Sequence, residues 1–103
     1  MNINKLMKQA QKMQEQMAKT QAELDEQTVE VNAAGGKVTV VANGAGDVVS
    51  IKIAKEIVDP EDVEILEDLI LSTVKQAIAQ GKELAQTEMT KITGGMGLAG
   101  LGL

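Results

Sequence analysis

The chain has 103 residues and contains no Cys, His, Phe, Tyr, Trp or Arg; fifteen acids stand against ten lysines, for a net charge of −5. Thiol nucleophiles, imidazole bases, disulfides and the usual zinc ligands are thereby excluded, and the acidic total argues against nucleic acid unless the charge is segregated. At this length one domain is expected, burying only about 60 to 70% of its unfolded surface, and a core without aromatic rings leaves room for completion by a second subunit.

From Ile3 to about Glu26 the chain consists of helix formers with neither Gly nor Pro. Ile3, Ala10, Met17 and Leu24 share one position of a seven-residue period, and Leu6, Met13 and Thr20 share a second, with Met7 alongside. Two readings fit this narrow seam: an amphipathic helix lying on its own sheet, or a helix packed lengthwise on another helix. Length favours an overhang, since 24 residues of helix span about 36 Å and a seven-residue strand only about 23 Å. The cover expected for the overhang is the same element of a second copy related by a two-fold axis.

The opposite face carries Lys5, Lys8, Lys12 and Lys19, which fall within an arc of about 60° at about 100° per residue. The lysines crowd the N-terminal half, where the helix dipole disfavours them, while Glu23, Asp25 and Glu26 gather at the other end. The stripe reads either as a solvated surface or as an anion-binding face.

The stretch from Thr28 to Ile53 reads as an antiparallel meander. A two-residue turn at Gly35-Gly36 sets Ala33 opposite Val38, Val31 opposite Val40 and Val29 opposite Ala42. Closing a second hairpin with Asn43-Gly44-Ala45-Gly46 sets Val40 opposite Val49 and Val38 opposite Ile51. One face then holds Val29, Val31, Ala33, Val38, Val40, Ala42, Val49, Ile51 and Ile53, and the other is polar. The same registers place Lys37 opposite Lys52, with space for an anion between them.

Asp59-Pro60-Glu61-Asp62 predicts a helix start, with an N-cap aspartate, proline at the first position and acids in the first turn. That reading outweighs a cation site for the acids from Asp59 to Asp68, which lack the spacing of a calcium loop. Val63, Leu66, Leu69, Ile70, Val74, Ala77, Ile78, Leu84, Ala85 and Met89 form a broad stripe suited to packing on the sheet. Gly81 falls on this stripe, either admitting a neighbouring helix closely or marking a weak point; a break near the helix start or near Gly81 is allowed. After Thr93 the sequence becomes GGMGLAGLGL, expected to be a flexible tail on a domain of residues 1–93. Its formal G-x-G-x-x-G follows no strand and opens no helix, so it is not a dinucleotide site. Ser50 and Ser72 sit beside no obvious base. Catalytic, cofactor and metal sites are therefore not expected. With no signal peptide or bilayer-spanning run, the cytoplasm is the expected location, without membrane association.

The ordered set MKQAQKMQEQM, Gly35-Gly36, VTVVANGAGDVVSIKI, the DPED helix start, LEDLILSTVKQAI and TGGMGLAGL resembles the YbaB/EbfC family of bacterial nucleoid-associated DNA-binding proteins over nearly the whole chain. The resemblance implies an α+β fold with a long N-terminal helix, a three-stranded antiparallel meander and a long C-terminal helix, assembled as a tweezer-like homodimer on the nucleoid. It implies double-stranded DNA as partner, little sequence preference and no enzyme activity. Other nucleoid or recombination proteins are further candidate partners. Family DNA contacts are associated with the projecting helices, which here supply Lys5, Lys8, Lys12 and Lys19, with Lys82 and Lys91 as secondary candidates. The absence of arginine and aromatic residues speaks against base-specific reading. The alternative is an interaction scaffold that reaches the nucleoid through a partner, using the seam or the Gly/Leu-rich tail.

Overall fold

The computed structural model describes residues 2–93, so the expected tail of residues 94–103 lies outside the described residues. The elements run α1 (Ile3–Glu26), β1 (Thr28–Ala33), β2 (Val38–Asn43), β3 (Val48–Ile53), a short 3-10 turn (Lys55–Ile57) and α2 (Val63–Thr93). The sheet is antiparallel in the order β1-β2-β3, giving the α+β class expected. The molecule is elongated, 71 × 24 × 17 Å.

The expected register of β1 on β2 is observed, with Ala33 opposite Val38, Val31 opposite Val40 and Val29 opposite Ala42. The turn itself begins one residue early. Ala34 and Gly35 both take positive φ, 54° and 68°, and Gly36 N–H donates to the Ala33 carbonyl at 3.1 Å. Gly36, at φ 88°, absorbs the extra residue.

The β2–β3 pairing differs from expectation by one residue beside the turn, where Ala42 faces Val48, and by two beyond it, where Val40 faces Ile51 and Val38 faces Ile53. The shift arises in two single steps. Asn43 N–H donates to the Asp47 carbonyl at 2.9 Å, so Asn43 ends β2 and the turn is Gly44-Ala45-Gly46, one residue shorter than expected. A bulge beside Val41 and Ala42 then leaves Val49 without a facing residue. Because the two steps sum to an even number, Ile51 and Ile53 keep the face expected of them. Lys52 consequently faces Thr39, not Lys37. Lys37 lies 3.9 Å from Glu56, so the expected anion position between the two lysines does not form.

α2 covers the apolar face of β1 and β2. Val31, Val38, Val40, Ala42 and Ala77 are buried there, with Val29, Ala33, Ile57, Leu69 and Val74 packed around them. Thr73 is buried in the same stripe, and its hydroxyl donates to the Leu69 carbonyl at 2.7 Å, so among the described residues no buried side-chain polar atom is left without a partner. The expected helix start at Asp59 is corrected. Asp59 Oδ1 accepts from Glu61 N–H at 3.0 Å and its carbonyl from Asp62 N–H at 3.0 Å, which closes a separate turn before α2 begins at Val63. From Val63 to Thr93 the helix is unbroken, with Gly81 inside it.

A candidate nucleic-acid interface

The lysine-bearing helix is held at one end only. Asn2 caps its start, with Oδ1 accepting from Lys5 N–H at 3.3 Å. At its far end Leu24 is fully buried, and it is the only α1 residue that is. The anchor is the turn between β2 and β3. Gly44 N–H reaches the carbonyls of Leu24 and Gln27 at 2.9 and 3.0 Å, and a Cβ on Gly44 would stand 2.8 Å from Leu24 Cβ. Asn43 Nδ2 donates to the Asp25 carbonyl at 3.2 Å, while Asn43 Oδ1 accepts from the N–H groups of Ala45 and Asp47, each at 3.0 Å. On the other side the same turn lies on α2, where a Cβ on Gly81 would collide with the Asn43 carbonyl. Of the two readings of Gly81, close approach holds, and the approaching element is this turn and not a helix.

Gln16, Lys19, Thr20 and Glu23 of α1 line one groove together with Glu88, Lys91 and Ile92 of α2. Since Leu24 sits by the turn that touches Gly81, the two helices run antiparallel, and α2 draws to its end beside Gln16. The N-terminal half of α1 continues beyond it. Ile3, Leu6 and Met7 are 67, 49 and 65% exposed, so the apolar seam is covered only over its C-terminal part.

This arrangement sorts the six candidate lysines. Lys5, Lys8 and Lys12 stand exposed on the free half of α1, where residues 1–14 include no acid. Among the described residues none of the three has a carboxylate within ion-pairing distance. Lys19 and Lys91 face the shared groove beside Glu23 and Glu88, and Lys91 pairs with Glu88 at 3.3 Å. Lys82 lies apart from both groups, its stem against Gly46 in the β2–β3 turn. The acids Asp59, Glu61, Asp62, Glu64, Glu67 and Asp68 gather at the start of α2, which the antiparallel arrangement places away from the free half of α1. Charge is thus graded along the molecule. Among the described residues no three acids come together as a metal site, and no helix is long and apolar enough to cross a membrane.

These features define a class: a small α+β protein whose exposed cationic helix end is displayed by a sheet and a second long helix. The fold recurs in an uncharacterized protein from Helicobacter pylori, with a TM-score of 0.72, 20% identity, and coverage of 84% of this chain and 91% of that one. Residues 1–96 match the model of the YbaB/EbfC DNA-binding family. A nucleoid-associated protein of Alkaliphilus metalliredigens is 52% identical over 100 residues, covering 97% of this chain and 88% of the relative. One from Clostridium novyi is 52% identical over 101 residues (98% and 89%), and one from Acetivibrio thermocellus is 55% identical over 96 residues (93% and 85%). The chain belongs to the YbaB/EbfC DNA-binding family.

Proposed function

We propose that this chain binds double-stranded DNA directly on the bacterial nucleoid, as a homodimer and without catalysis, weakly and with little sequence preference. Lys5, Lys8 and Lys12 make the principal phosphate contacts; Lys19, Lys82 and Lys91 are secondary. The observation that carries the reading is the acid-free, exposed N-terminal half of α1, which presents three ammonium groups, unpaired among the described residues, at one end of an otherwise acidic molecule. Lysines placed against phosphates release condensed counterions, an interaction indifferent to base sequence. Without arginine the usual bidentate reader of guanine is missing, which supports low specificity and an affinity in the non-specific range, on the order of 10⁻⁴ to 10⁻⁶ M at physiological salt.

The dimer is supported by a second exposed apolar region. Val48, Val49, Ile51 and Ile53 are exposed on β3, an edge strand, with Val58, Val63 and Ile65 nearby in sequence and also exposed. An edge of this kind invites pairing, and a two-fold copy joined there doubles the number of lysine-bearing helices. In this reading residues 1–93 form the binding unit and residues 94–103 are an appended segment.

The test is a mobility-shift titration of pure protein across salt concentrations. Replacing Lys5, Lys8 and Lys12 with Gln is expected to flatten the slope of log affinity against log salt by about 0.9 for each lysine that sits on a phosphate. An unchanged slope removes this face from the mechanism. Wild-type protein that shifts no duplex even at low salt favours recruitment through a protein partner.

A further inference from the structure

Besides its three lysines, the acid-free stretch of α1 carries the amide side chains of Asn4, Gln9, Gln11 and Gln14, behind the Asn2 cap. Asn4 and Gln11 stand in one row with Lys8, within an arc of about 60° at about 100° per residue. All three lie within about 40° of the direction opposite Leu24, the buried residue that ties α1 to the fold. The row therefore faces away from α2 and the sheet, and Gln9 and Gln14 lie off it. Asn4 and Gln11 are exposed, and among the described residues neither side chain has a hydrogen-bond partner. Glu15, the next member of the row, is the first acid in α1 and ends the stretch that a polyanion can approach.

We propose that this row lies in the major groove of the duplex, with Asn4 and Gln11 reading adenine while Lys5, Lys8 and Lys12 hold phosphates along one wall; the inference rests on the DNA binding proposed above. Size selects the groove. A helix is about 10 to 12 Å across with its side chains; the major groove, about 12 Å wide, admits it, and the minor groove, about 6 Å wide, does not. Chemistry selects the base. A carboxamide pairs in bidentate fashion with adenine, its oxygen accepting from the N6 amino group and its N–H donating to N7. Spacing sets the register, because helix residues about one turn apart address successive base pairs in this groove. Asn4 and Gln11, two turns apart, thus address base pairs two steps apart. Strong selectivity does not follow, since adenine on one strand or the other recurs every few base pairs in most sequences. The preference shows against a duplex that has none.

The test is a competition mobility shift with the full-length protein at fixed salt, using unlabelled duplexes of equal length. A duplex of mixed A·T and G·C pairs is expected to compete better than an all-G·C duplex by about tenfold or more. Replacing its adenines with 7-deazaadenine removes the N7 acceptor without changing the minor-groove edge, and is expected to abolish the advantage. In the double variant Asn4→Ala, Gln11→Ala the advantage is also expected to vanish. Its slope of log affinity against log salt is expected to stay that of the wild type, because no phosphate contact is removed. Helical circular dichroism is retained in that variant, since both positions are exposed and alanine favours helix. Equal competition by the two duplexes against wild-type protein overturns the proposal. So does an advantage that survives 7-deazaadenine or the double substitution, or a double variant whose salt slope falls. Each of these results leaves the DNA reading standing, whereas protein that shifts neither duplex removes both.

Discussion

Asn43, Gly44 and Gly81 hold the cationic helix in place, and each does so through a different property. Asn43 uses both ends of its amide, one on the Asp25 carbonyl and one inside its own turn. Three hydrogen bonds at a net value of about 0.5 to 1.5 kcal/mol each predict that Asn43→Ala lowers stability by about 1.5 to 4.5 kcal/mol in urea unfolding. Gly81 acts through what it lacks. In Gly81→Ala the added methyl meets backbone, which cannot swing aside, so the overpacking cost of about 1 to 3 kcal/mol is expected to exceed the helix-propensity gain of about 1 kcal/mol. A Gly81→Ala protein with an unchanged or higher urea midpoint would contradict this packing. The sequence marks Gly81 as anomalous because it breaks an apolar stripe. It does not reveal the partner, because the meeting with Asn43 depends on where the second hairpin turns. Thr73 escapes notice for a related reason, since a threonine satisfied by its own helix carbonyl reads as polar until the packing is known.

At the level of elements, α1 sets stability against charge. Lys5 occupies the third helical position behind the Asn2 cap, where an acid complements the dipole and completes a capping box. Lys5→Glu is therefore expected to stabilise the helix by about 0.3 to 1 kcal/mol, raising far-UV helical signal slightly, while weakening duplex binding. A substitution that improved both would break the link between misplaced charge and function. The bounds of α1 and the pairing of β1 with β2 are legible from residue types, because a helix without Gly or Pro and a Gly-Gly turn each leave few alternatives. The pairing of β2 with β3 is not, because Asn43 joins the strand and leaves a turn one residue shorter, and Val49 adds a bulge. The helical periodicity of Lys5, Lys8, Lys12 and Lys19 is likewise visible in the chain. That Lys19 shares a groove with Glu88 and Lys91, while the other three stand clear, depends on α2, which comes from the far end of the sequence.

On the scale of the whole molecule, the homodimer proposed above uses the exposed face of β3. In light scattering the wild-type protein is expected at twice the chain mass. Ile51→Lys, placed on that face, is expected to shift it toward monomer with the fold retained, and a dimer that survives the change would move the interface elsewhere. Binding by a monomerised protein is expected to show a roughly halved salt slope, because half the lysines are lost to each particle.

In the binding mode proposed above, the grading of charge along the 71 Å axis also sets the posture of the bound protein. A bar that is positive at one tip and negative at the other meets a polyanion tip first and stands upright on it. The footprint of each tip is then the width of one helix, about 10 Å, or some three base pairs at about 3.4 Å each. Most of the groove is left open to other readers of the same duplex.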